Sequence, residues 1–185
     1  MFVIIITNVF IKGIKVMIEN LKEQIQLEAK HQIITNGYSK TTIRSVANAC
    51  KIGVGTMYNY FRSKDELITS FMLDDWKKTM KEMEEARCED SKEFLRGVQV
   101  ALDKFISKYE SLFSDKDAIR AFASVFSERH IQLRERIADL IQPICAFSET
   151  GDERFLAEHI AESVIHWSME KIDFEKQYTI IQKLL

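Results

Sequence analysis

The 185-residue chain holds one proline, six glycines and three cysteines. So few turn-formers argue against a β-sandwich or barrel and favour a mostly helical fold. Cys50, Cys88 and Cys145 are odd in number, widely spaced and free of any C-x-x-C pair. That argues against a disulfide framework or structural zinc site and for a reducing, cytoplasmic setting. No apolar run reaches the ~20 residues that span a bilayer, so no membrane partner is expected. P-loop, GxGxxG and H-E-x-x-H motifs are absent, as is any signature of an activated nucleophile. Neither an enzyme nor a cofactor is therefore expected.

What is present is ordinary for a globular protein: 46% hydrophobic and 29% charged residues. The net charge of −2 is unevenly spread. Residues 18–64 carry Lys22, Lys30, Lys40, Arg44, Lys51, Arg62 and Lys64 against Glu19, Glu23 and Glu28, whereas the 121 residues beyond them sum to −8. A basic front on an acidic body points to a polyanion met by the front alone. Residues 1–17, MFVIIITNVFIKGIKVM, are apolar but lack a basic n-region and a small-residue cleavage site. They read as a peripheral anchor, a packing arm, or leader ahead of a start at Met17.

From Asn20 onward the hydrophobic period is 3.6 and the expected fold is all-α. Ile25, Ala29 and Ile33 outline a first helix over about 20–36, stopped by Gly37. A short second helix, 42–50, turns Ile43, Val46, Ala47 and Cys50 inward; a third, 54–60, turns Met57 and Phe61 inward. Ser63-Lys64-Asp65-Glu66 reads as a capping box opening a long fourth helix. Further helices follow, one begun by Asp90 and carrying Phe94 to Phe113. The next is begun by Ser114-Asp115 with Ile119, Phe122 and Phe126, and another holds Pro143. One restarted at Gly151-Asp152 carries Phe155, Leu156, Ile160, Val164 and Ile165, and a last covers about 174–185. Three regions result: the apolar extension 1–17, a basic helical domain 18–75 and a helical body 76–185.

Two short helices joined by a tight turn fit a helix-turn-helix spanning Thr42 to Phe61. Its second helix offers Val54, Gly55, Thr56, Tyr58, Asn59 and Tyr60 outward, small or polar enough to enter a major groove about 12 Å wide. Thr42 at a helix N-terminus and Lys64 flank this set, and helix-end amides and an ammonium are natural phosphate ligands.

The stretch GYSKTTIRSVANACKIGVGTMYNYFRSKDELI resembles the DNA-binding segment of the tetracycline-repressor (TetR) family of transcriptional regulators. Three pieces carry the likeness in order: Gly37, Tyr38, Thr41, Thr42, Ile43, Val46 and Ala47; then Gly55, Thr56, Met57, Tyr58, Tyr60 and Phe61; then Ser63, Lys64 and Leu67. Lys51 stands where the family usually has Gly in the turn, and Gly53 where it often has Ser. The resemblance implies phosphate contacts from Thr42, Thr56, Tyr58, Tyr60 and Lys64. It places Val54, Gly55, Thr56, Tyr58 and Asn59 nearest the bases, with Asn59 the direct reader because a carboxamide pairs bidentately with adenine. It further implies a homodimer through the last two helices and a body that binds a small effector. A ligand-released repressor on a palindromic operator is the reading. A constitutive DNA-binding protein, or a helical protein with a decayed motif, is the alternative.

In the body, Phe105, Tyr109, Phe122, Phe126 and Trp167 are the candidate wall of an effector pocket for an apolar or amphipathic molecule. Val164, Ile165, Ile180, Ile181, Leu184 and Leu185 serve either a dimer face or the protomer's own core. His159, Glu162 and His166 share one helix face with donor types a metal accepts, yet the expectation is a polar stripe and no metal.

Overall fold

The computed structural model describes residues 20–146 and 151–185, with the side chains of 124–126 left out; every element in this range is helical. The apolar extension 1–17 lies outside it, and so does the side chain of Phe126. Helix α1 covers 20–36, and Gly37 ends it at φ 81°, where a residue without Cβ is unstrained. Helices α2 (Ile43–Ala49) and α3 (Val54–Tyr60) follow, then α4 (Lys64–Glu85) and α5 (Ser91–Lys108). Next come the short α6 (Glu110–Ser114) and α7 (Lys116–Ala121), then α8 (Ala123–Cys145), α9 (Glu153–Met169) and α10 (Phe174–Ile181).

Capping side chains set these starts. Asp90, Asp152 and Asp173 each accept an amide of the first turn they precede. Pro143 lies inside α8, two residues from its end, where its missing N–H removes one bond of the last turns.

The chain divides into two units. Among the described residues, the first comprises those up to Leu73 together with Ser111–Ala121; the second comprises Asp74–Glu110 and those from Phe122 to Leu185. Helix α4 therefore runs from one into the other. In the first unit Ile25, Ala29 and Ile33 of α1 are buried, as are Val46, Ala47, Met57, Phe61, Leu67 and Ile68. In the second, α5, α8 and α9 share one core built from Leu95, Val98, Leu102, Ile137, Ile141, Ile160 and Ile165 among others.

Several expectations need correction. Phe155 is 58% exposed, its ring tilted against that of His159 rather than buried, and Ile119 is also exposed. Ile43 and Cys50 of the second helix are half-buried, so Val46 and Ala47 alone close its inner face. The helix expected to run from Phe94 through Phe113 breaks at Tyr109, the C-cap of α5. Val164, Ile165 and Ile181 fill the protomer's own core, while Ile180 and Leu184 face outward. Glu162, on the helix face it shares with His159 and His166, pairs its carboxylate with His130 Nε2 of α8 at 2.9 Å. No helix among the described residues is long and apolar enough to cross a membrane.

Candidate nucleic-acid interface

The local sequence explains why α2 and α3 form a rigid pair. Thr42 is the N-cap of α2: its hydroxyl oxygen accepts from the Ser45 amide at 3.0 Å while Ser45 Oγ accepts from the Thr42 amide at 3.0 Å. Ser45 Oγ also donates to Gln32 Oε1 at 2.7 Å, tying α2 to α1. The helix closes in a Schellman motif, the Ile52 amide donating to the Ala47 carbonyl and the Lys51 amide to that of Asn48. Lys51 holds the left-handed position of this motif at φ 57°. The departure from glycine noted in the sequence leaves the turn intact and places a side chain in a region costly for residues with Cβ. Gly53, the N-cap of α3, has φ −69°, so nothing there demands glycine.

Met57 (0% exposed) and Phe61 anchor α3 inward, and the opposite face is open. Tyr58 is 54% exposed, Gly55 and Asn59 are exposed, and Val54, Thr56 and Tyr60 are half-buried. Thr42 is exposed at the N-terminus of α2. The candidate base-facing residues therefore share one short helix, and the candidate phosphate ligand Thr42 stands at a helix end where amides converge. Lys40, Arg44 and Arg62, counted only as part of the basic front, are exposed as well.

Lys64 is placed differently from a free surface lysine. It is half-buried, and its Nζ donates to the Tyr38 carbonyl at 3.0 Å and lies 3.4 Å from the centre of the Tyr38 ring. Desolvation lowers the pKa of this ammonium, against the pull of Asp65, Asp115 and Asp117. Tyr38 is buried and its hydroxyl donates to Asp65 Oδ1 at 2.8 Å; burial first, and that carboxylate second, push the phenol up to about 12. The capping box expected at the start of α4 is present in a shifted form. Ser63 Oγ accepts from the Glu66 amide at 3.0 Å, and Glu66 Oε2 accepts from the Arg62 amide at 2.6 Å, one residue before the cap itself.

Asp115 was legible in the sequence only as a helix start, not as part of this region. Its Oδ2 accepts from Ser39 Oγ at 3.1 Å, while Oδ1 accepts the amides of Asp117 and Ala118 and so caps α7. These amides, led by that of Ala118, hold its carboxyl below the usual range. Only a contact 76 residues distant in sequence brings it to the turn before Thr42; no local pattern signals it.

Of the candidate pocket residues, Phe105 and Tyr109 form one aromatic cluster with Trp76, the Phe105 ring centre lying 5.2 Å from that of Trp76 and 5.1 Å from that of Tyr109. Tyr109 is fully buried and its hydroxyl donates to Asp75 Oδ2 at 2.7 Å. Phe122 is buried, and Trp167 packs half-buried against the core of α5, α8 and α9.

Residues 27–70 match the sequence model of the family described as bacterial regulatory proteins, tetR family. The transcriptional regulator UidR of Escherichia coli K12 is 22% identical over 139 aligned positions, covering 66% of this chain and 68% of that protein. Among solved structures, Salmonella enterica GusR superposes with a TM-score of 0.68 at 16% identity, covering 90% of this chain and 95% of that one. The Thermus thermophilus repressor FadR, solved in complex with lauroyl-CoA, gives 0.55 at 18% identity, covering 88% and 92%.

Proposed function

We propose that this chain, whose N-terminal segment is that of the TetR family of bacterial regulatory proteins, is a transcriptional repressor released from its operator by a small molecule. The observation that carries the reading is the α2–turn–α3 pair. Its inner face is closed by Met57 and Phe61, and its outer face offers Tyr58 and Asn59 beside the N-cap Thr42.

In this reading α3 enters the major groove, Asn59 reads an adenine edge, and Thr42, Thr56, Tyr58, Tyr60 and Lys64 hold phosphates. A homodimer presents two such heads to half-sites about one helical turn (~34 Å) or somewhat more apart. An effector in the body favours a conformation whose two heads no longer match that spacing. A coupling of ~1–3 kcal/mol suffices for regulation. Helix α4 is the candidate transmitter because it runs continuously through both units.

The test is fluorescence anisotropy of the full chain with duplex from upstream of its coding sequence, against scrambled duplex, across a salt series. Preferential binding that falls steeply with salt and is weakened by Tyr58→Ala supports the reading. Failure of the folded, ligand-free chain to bind either duplex overturns it.

A further inference from the structure

The turn between α1 and α2 is closed by the Thr41 amide, which donates to the Tyr38 carbonyl at 3.2 Å. Lys64 Nζ donates to the same oxygen. Thr42, the N-cap of α2, follows directly on this turn. Ser39 stands at its corner, exposed, and its hydroxyl donates to Asp115 Oδ2 at 3.1 Å. The carboxylate is thereby fixed to the short stretch that carries two of the proposed phosphate ligands. Ser39 adjoins Tyr38, which holds Lys64, and lies three residues from Thr42, at most about 11 Å of extended chain.

Asp115 arrives there from a distant part of the chain. Segment Ser111–Ala121 belongs to the first unit, although the chain on either side of it belongs to the second. Ser111 Oγ adds a second tie, donating to the Ile33 carbonyl of α1 at 3.4 Å.

The donors to the Asp115 carboxylate are the Ser39 hydroxyl and the amides of Asp117 and Ala118, all of them neutral. Such bonds keep a carboxylate ionised without cancelling its charge. Among the described residues Asp115 forms no ion pair, not even with its neighbour Lys116; Asp117, by contrast, has Arg120 Nη1 at 3.8 Å. A phosphate brought to Thr42 or Lys64 therefore meets an uncompensated negative charge. Their separation is comparable to the Debye length of ~10 Å at 0.1 M salt, so screening removes only part of the repulsion.

We infer that Asp115 is a negative determinant of DNA affinity: a carboxylate fixed beside the α1–α2 turn that weakens the hold of Thr42 and Lys64 on duplex phosphates. Its effect is independent of base sequence, because it acts on the backbone contacts. The inference rests on the reading of α2–turn–α3 as the DNA-contacting pair. It adds a residue that the charge count over 18–64 leaves out, an acid carried to the basic front from 76 positions away.

The experiment compares the full chain with its Asp115→Asn variant by anisotropy, on upstream and scrambled duplexes, from about 50 mM salt upward. Asparagine retains a side-chain oxygen for capping and removes the charge. The variant is expected to bind both duplexes about two- to fivefold tighter at low salt, by the same factor, and to converge on the natural chain as salt rises. Ser39→Ala, which frees the turn and leaves the charge, is expected to show no such gain. Asp115→Ser, an uncharged cap, repeats the test should Asp115→Asn fail to fold. Melting curves separate the roles: a purely structural residue loses stability and affinity together, whereas here stability falls while affinity rises. Unchanged or weaker binding, a gain on one duplex only, an equal gain in Ser39→Ala, or a gain that persists at high salt overturns the inference and leaves the repressor reading in place. A natural chain that binds neither duplex overturns both.

Discussion

Lys64 is held by Tyr38 twice over, its ammonium 3.4 Å from the centre of the aromatic ring and 3.0 Å from the same residue's carbonyl oxygen. The contact joins the first residue of α4 to the turn between α1 and α2, so one side chain both ties α4 to that turn and keeps positive charge near α2. A single carbonyl uses one of three ammonium donors.

Lys64→Ala is accordingly expected to act on two measurements. DNA affinity falls about equally for all sequences and the salt slope drops by about 1, as for loss of one phosphate contact. Thermal stability also falls, by about 0.5–2 kcal/mol for the lost cation–π contact. A salt series on the variant, with melting curves, checks both. An unchanged slope removes Lys64 from the phosphate ligands.

Lys51 occupies the left-handed position of the α2–α3 turn. A residue with a Cβ costs about 1–2 kcal/mol there, against which glycine loses some chain entropy. Lys51→Gly is expected to stabilise by roughly 0.5–1 kcal/mol and Lys51→Val to destabilise by more than that, since branching worsens the clash. Urea midpoints of the two variants decide it.

Gly97 on α5 faces Ala86 just past the end of α4: a Cβ at 97 would lie 2.5 Å from the Ala86 Cβ. Gly97→Ala adds helix propensity yet overpacks this approach, and overpacking of this kind costs typically about 1–3 kcal/mol. The melting temperature is expected to fall, and Ala86→Gly in the same chain to restore it, a coupling readable in a double-mutant cycle. Additive losses would show that the two helices have room to separate.

Asp115 supplies a pH dependence with a defined sign. Its folded pKa lies below the unfolded value because the Ala118 amide, Ser39 and the Asp117 amide bond its carboxylate. Such a group stabilises above its unfolded pKa, ~3.9 for a model aspartate, and that contribution is lost as pH falls through the folded value. Asp115→Asn is therefore expected to be less stable than the natural chain at neutral pH. The difference begins to shrink below about pH 4 and closes as pH falls through the folded value. A difference that persisted at low pH would assign the loss to packing instead of charge.

The α2–turn–α3 pair was legible in the sequence because its signals are local. The 3.6 period put Met57 and Phe61 inside and Tyr58 outside. Thr42 and Ser63 announced helix starts, and Gly37 a helix stop, each through bonds spanning a few residues. The body was less legible. Phe155 and Ile119 fall in the apolar pattern of their helices yet are exposed, because apolar spacing says which residues share a face, not whether another helix covers it.

The chain's amino acids alone determined an all-helical fold and the capped α2–turn–α3 pair, for helix periodicity and capping are properties of short segments. Only tertiary structure decided that Asp115 meets Ser39, that Lys64 turns onto Tyr38, and that Gln99 grips the turn beyond Ser168. Those contacts join residues 26 to 76 positions apart. Which polar groups end up buried together is set by how whole helices pack, and no local pattern encodes that.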